Sequence, residues 1–175
     1  LTLMKTSADS LKKSADALND SSLWEKKKIK KKDEKTGEEI EVEDYDWDKI
    51  TKAVKSFVED YNDVVKEAGE SNTKDVLRNA SWMTGMTDKN SNMLAKIGIT
   101  IGKGNKLELD EDALKQADIS SLKTIFTGYN SFVSKISQKA TGISNAANRA
   151  SATYTNNGTY SKTDSSLTSS KIDKE

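Results

Sequence analysis

The 175-residue chain contains no cysteine, no histidine and no proline, and only 6% of its residues are aromatic. Without cysteine there are no disulfides, no thiol nucleophile and no thiolate metal site. Without histidine the side chain that most often moves protons at neutral pH, and the commonest nitrogen ligand, are missing. Ser-His-Asp and Cys-His hydrolysis are excluded, as are zinc centres built on these residues. The expectation is a protein that is not an enzyme and holds no cofactor and no metal. Lys+Arg and Asp+Glu both number 28, so no global field steers the chain toward nucleic acid. No apolar run is long enough to cross a membrane, so no membrane insertion is expected. No charged-then-apolar leader follows Leu1, so no cleaved signal peptide is expected. The lack of proline suits long uninterrupted helices.

What is present is patterned. Hydrophobic residues make up 34% and charged residues 32%, with a mean hydropathy of −0.76. That is polar for a compact globule but ordinary for helices that each bury one narrow stripe. Met4, Ala8, Leu11, Ala15 and Leu18 repeat every seven residues, and the alanines imply a close contact. Trp47, Ile50, Val54, Phe57, Tyr61, Val64 and Ala68 form the strictest heptad stripe, with Asp44 or Asp46 placed to cap it and Gly69 to end it. Residues 73–96 read as a helix interrupted at Thr84-Gly85-Met86-Thr87; Met83, Met86 and Met93 are gap fillers. From Ile119 a single long helix is predicted to run to about residue 153. Its seam is Leu122, Ile125, Tyr129, Phe132 and Ile136, resumed by Ala140, Ile143, Ala147, Ala150 and Tyr154.

Two segments break the helical pattern. Residues 23–43 read as a β-hairpin in which Asp33 faces Glu38 and Ile29 faces Val42, while Lys30 and Lys32 meet Glu41 and Glu39. Its six lysines resemble a nucleic-acid patch, but the acidic run beside them favours a solvated, neutralised strand. Asp33-Glu-Lys-Thr-Gly-Glu-Glu lacks the ligand spacing of a calcium loop. The second segment spans Leu94 to Leu114. There Gly98 ends a helix, Ile99-Thr-Ile101 and Lys106-Leu-Glu-Leu109 form strands around the Gly102–Asn105 turn, and Asp110 caps the next helix. Gly102-x-Gly104 has neither the third glycine nor the Lys-Ser/Thr pair of a phosphate loop. Asp110 and Asp112 could be imagined as paired catalytic carboxylates, but they sit where capping acids belong.

Three blocks resemble the C-terminal part of the flagellar filament-capping family, hook-associated protein 2. They are Val54-Lys-Ser-Phe57-Val58-Glu-Asp-Tyr61-Asn62, Lys74-Asp-Val-Leu77-Arg78, and the cassette Leu94-x-x-Ile97-Gly98-Ile99 with Lys106-Leu107-x-Leu109-Asp110-x-x-x-Leu114. Lys123 to Phe126 and Gly128 resemble the family's closing block. The resemblance covers about residues 46–150. It implies a secreted, non-enzymatic helical stem that packs against flagellin-like or hook-associated subunits, with homo-oligomers among its assemblies. Where the family carries a large β-rich head, this chain has only the 23–43 hairpin.

The expected fold is mainly α: an elongated antiparallel coiled-coil bundle over 1–154, with small hairpins at about 23–43 and 97–109. A flexible Ser/Thr-rich tail is expected over 155–175. The packing or partner interface is expected at Trp47, Ile50, Val54, Phe57, Tyr61, Val64, Leu122, Ile125, Tyr129, Phe132 and Ile136. The expected location is the extracellular bacterial flagellum, with the cytoplasm, and a non-flagellar helical adaptor or chaperone-like role, as the alternative.

Overall fold

The computed structural model describes residues 2–157, so the tail from residue 158 onward lies outside the described residues. The chain is mainly helical with two antiparallel hairpins. Helix α1 (Thr2–Leu18) is followed by a 3₁₀ turn (Ser21–Trp24), strands β1 (Lys27–Lys32) and β2 (Glu39–Asp44), and helices α2 (Trp47–Gly69) and α3 (Lys74–Lys89). Then come α4 (Ser91–Lys96), β3 (Ile99–Ile101), β4 (Leu107–Leu109), α5 (Glu111–Gln116), α6 (Ile119–Phe126) and α7 (Phe132–Asn157). The segment expected to begin the tail, 155–157, continues α7.

Strands β1 and β2 pair as their charges dictate: Ile29 opposes Val42, Lys30 opposes Glu41 and Lys32 opposes Glu39. The turn closes when the Asp33 N–H donates to Glu38 O at 2.7 Å and the Gly37 N–H returns to Asp33 O at 2.8 Å. Gly37 sits at φ +73°, where side-chain-bearing residues are strained. Helix α2 starts where Asp46 accepts the Lys49 N–H at 3.2 Å.

Helix α1 packs between α2 and α7. Its contact with α7 is antiparallel and carries two polar rungs. Ser144 Oγ donates to Asp9 Oδ1 and Ser137 Oγ donates to Asp16 Oδ1, each at 2.6 Å. Between and beside the rungs lie buried Ala8, Leu11 and Ala15 on α1, and Ala140, Ile143 and Ala147 on α7. Short side chains at these positions let two helix backbones approach closely. The hydrogen bond from Lys5, and then that from Ser144, hold the Asp9 carboxyl below its ordinary range. At Asp16, burial opposes ionisation, but the Lys12 and Ser137 bonds outweigh it and the pKa is again lowered.

Two helix expectations are corrected. Helix α3 runs straight through Thr84–Thr87 and stops instead at Asn90. Met83 and Thr87 are buried there, and Thr87 Oγ1 donates to Met83 O at 2.9 Å while accepting the Tyr61 hydroxyl at 2.8 Å. A threonine that looked like an interruption is thus a core residue with its polar atom satisfied. The long helix predicted from Ile119 is two helices separated by residues 127–131. Gly128 at φ +101° makes the turn, and Asn19 at the end of α1 holds it from both sides. The Gly128 N–H donates to Asn19 Oδ1 at 2.9 Å, and Asn19 Nδ2 donates to Gly128 O at 3.3 Å. The turn carries Phe126 onto Trp24, with stacked rings 5.5 Å apart. Phe57 meets both Phe126 and Phe132 edge-on, which joins α2, α6 and α7 in one aromatic cluster.

Candidate interaction surface

The residues singled out by their spacing fall mainly inside the chain. Ile50, Val54, Phe57, Tyr61 and Val64 of α2 are buried, as are Leu122 and Ile125 of α6 and Phe132 and Ile136 of α7. Trp47 is half-buried, edge-on to Tyr45. Tyr129 is the exception: it lies in the turn between α6 and α7 and is 84% exposed. The seam Leu122–Ile125–Tyr129–Phe132 is therefore not one face of one helix. The stripes that could have met partner helices close instead on each other.

The Phe57–Asn62 block has a local task that its sequence did not reveal. Tyr61 is buried and reaches Thr87, and burial pushes its pKa up to about 12. One residue on, Asn62 faces the cassette and behaves like the edge of a strand. Its Nδ2 donates to Leu107 O at 2.9 Å, and its Oδ1 accepts the Leu107 N–H at 2.7 Å. The cassette is closed from its other side by Gly98 at φ +92°. A Cβ there would sit 2.7 Å from Asp110 O and 3.0 Å from Leu114 N. Asp110, in turn, accepts the Ala113 N–H at 3.1 Å and caps α5. The carboxylates at 110 and 112 thus stand at a helix start, the first as its cap and the second in its first turn.

What remains open is the outer side of α3. Its buried stripe, Val76, Ala80, Met83 and Thr87, leaves Leu77 and Trp82 exposed, 41% and 53%, on opposite flanks of the helix, Leu77 toward α2 and Trp82 toward α7. Spacing could have found them, since neither falls on that stripe. Lys139 of α7 lies 4.8 Å from the Trp82 ring centroid, a cation–π contact. Asp75 bridges Arg78 at 3.0 Å and Arg149 at 3.7 Å, tying α3 to α7. On the α2 side, Leu77 and Ala80 join Val65, Ala68 and the Gly104–Asn105 turn around a shallow groove of about 220 Å³.

This surface offers apolar contact and surface charge, and little else. Among the described residues no group of three or more acidic side chains gathers as a metal ion would need, and no helix is long and apolar enough to cross a membrane. A closed helical core with two small antiparallel hairpins defines a mainly helical packing fold. The chain belongs to the family described as flagellar hook-associated protein 2 C-terminus, which matches residues 69–175. It is a family of structural flagellar cap proteins. The Lys74–Arg78 block and the cassette fall within the match, while the Val54–Asn62 block precedes it. No curated protein and no solved structure matches the chain.

Proposed function

We propose that this chain is a structural stem module of a flagellar cap and docks on flagellin-like or hook-associated subunits by presenting helix faces to them. The observation that carries this reading is the family match over 69–175, which includes the whole of α3 with its exposed Leu77 and Trp82. The stripes of α2, α6 and α7 are consumed internally, so the docking surface in this reading is the outer face of α3 and the groove beside Leu77. A partner helix laid there would cover Leu77 and add to the α2–α3 pair. In this reading the 1–154 stem domain is an elongated antiparallel coiled-coil bundle. The module works outside the cell at the flagellum, and copies of the chain associate with one another.

The test is binding to purified flagellin-type and hook-associated subunits. Leu77→Ser, beside the groove, and Trp82→Ser, on the opposite flank of α3, are expected to weaken capture about tenfold or more. Helical content by circular dichroism should stay unchanged. Binding that is indifferent to both substitutions, or capture of cytosolic clients alone, would overturn the reading.

A further inference from the structure

We infer that the β1–β2 hairpin is a charge-coded self-docking element, in which the lysine edge of one copy pairs with the acidic edge of a second copy. The inference deepens the self-association in the reading above by naming its surface. It stands apart from subunit docking, which uses α3.

A two-stranded sheet has two free edges. Apart from the pairing of β1 with β2, no backbone hydrogen bond among the described residues reaches 28–32 or 39–43. Unpaired strand edges are templates for another strand, and proteins usually guard them with charged side chains, lysine above all. Here the charges are sorted by strand. β1 reads Lys-Lys-Ile-Lys-Lys-Lys and β2 reads Glu-Ile-Glu-Val-Glu-Asp. Lys28, Lys30 and Lys32 share one face of the hairpin with Glu43, Glu41 and Glu39. Ile29, Ile40 and Val42 share the other face, where Ile40 is 40% exposed and Ile29 and Val42 are half-buried.

Sorting of this kind guards each edge against its own kind only. A β1 edge meeting another β1 edge would place lysine against lysine, and β2 against β2 would place acid against acid. A β1 edge meeting the β2 edge of another copy repeats the complementary pairs already made within the hairpin. It also extends the apolar face by three residues per copy. The contact is head to tail, so each copy keeps one edge open, and the assembly closes into a ring or grows as a row. Nucleic acid is the poorer occupant: a polyanion on the lysines would lie about 5 Å from the acidic strand.

The experiment is sedimentation velocity of the whole chain across a concentration series up to millimolar, in about 0.05 M and about 0.5 M salt. Three proteins are compared. The wild type should associate at low salt and dissociate at high salt. A single-sign variant, Lys28→Glu, Lys30→Glu and Lys32→Glu together, should associate at least about tenfold more weakly. A sign-exchanged variant, with those three changes plus Glu39→Lys, Glu41→Lys and Glu43→Lys, restores complementarity within and between hairpins and should associate as the wild type does. Helical circular dichroism checks that each bundle is folded. A wild type that stays monomeric at low salt, a single-sign variant equal to it, or a folded sign-exchanged variant that fails to associate would each overturn the inference. Subunit capture through α3 is read separately, so failure here leaves that reading standing.

Discussion

The two hairpins make opposite bargains with the bundle. β1–β2 has six-residue strands, strong β-pairing and cross-strand charge complementarity, yet it is bonded chiefly to itself. β3–β4 has strands of three residues, too short to hold alone. It is fixed because Ile99 and Leu107 are buried, Asn62 grips Leu107 and Gly98 brings two backbones together. Length and pairing therefore do not decide which hairpin is fixed to the bundle. Anchorage to the helices does.

Substitution can break this contrast, and the largest effect is expected at Gly98. Gly98→Ala forces a left-handed backbone on alanine and a Cβ against Asp110 O, which should cost about 3 kcal/mol or more, measured as a lower denaturation midpoint. Alkali acts on the same anchored side. The Tyr61 pKa of about 12 lies above the ordinary value of 10, so the folded state holds its proton longer than the unfolded state. Its contribution is complete below pH 10 and is lost as pH rises toward 12, a fall of up to about 3 kcal/mol. Tyr61→Phe should flatten that limb of the stability curve. Asn62→Ala leaves the N–H and C=O of a buried residue without partners, for about 2 kcal/mol, and should speed hydrogen exchange at Leu107. The outer hairpin gives the smallest response. Lys30→Ala, exposed on β1, should move global stability by less than about 0.5 kcal/mol, which a urea titration would check.

The same contrast explains what could be read from residues alone. The register of β1–β2 follows from alternation and charge over a short span, so Ile29–Val42 and Lys30–Glu41 were legible. So were the stripe of α2 and the glycines and cap of the cassette, all local signals. The end of α6 was not. Leu122, Ile125, Tyr129 and Phe132 keep helical spacing across the break, and the partner that holds the break is Asn19, 109 positions away in sequence. Thr87 was misread for the same reason, since its role depends on Tyr61 from another helix. The open side of α3 was legible and overlooked: Trp82 lies off the stripe of Val76, Ala80, Met83 and Thr87. Position in three dimensions, beyond periodicity, separates a buried stripe from an available one.

The rungs between α1 and α7 have one more consequence. Asp9 and Asp16 are seven residues apart, and so are Ser144 and Ser137, with alanines repeating at the same interval. Shifting one helix by a heptad, roughly 10 Å, would still match one aspartate to one serine and alanine to alanine. The ladder is like a ruler with identical marks, and it does not say where zero lies. Zero is set at the far end, where Asn19 grips Gly128 and Trp24 lies on Phe126. Loosening that end would leave the long helices free to settle one notch out of step.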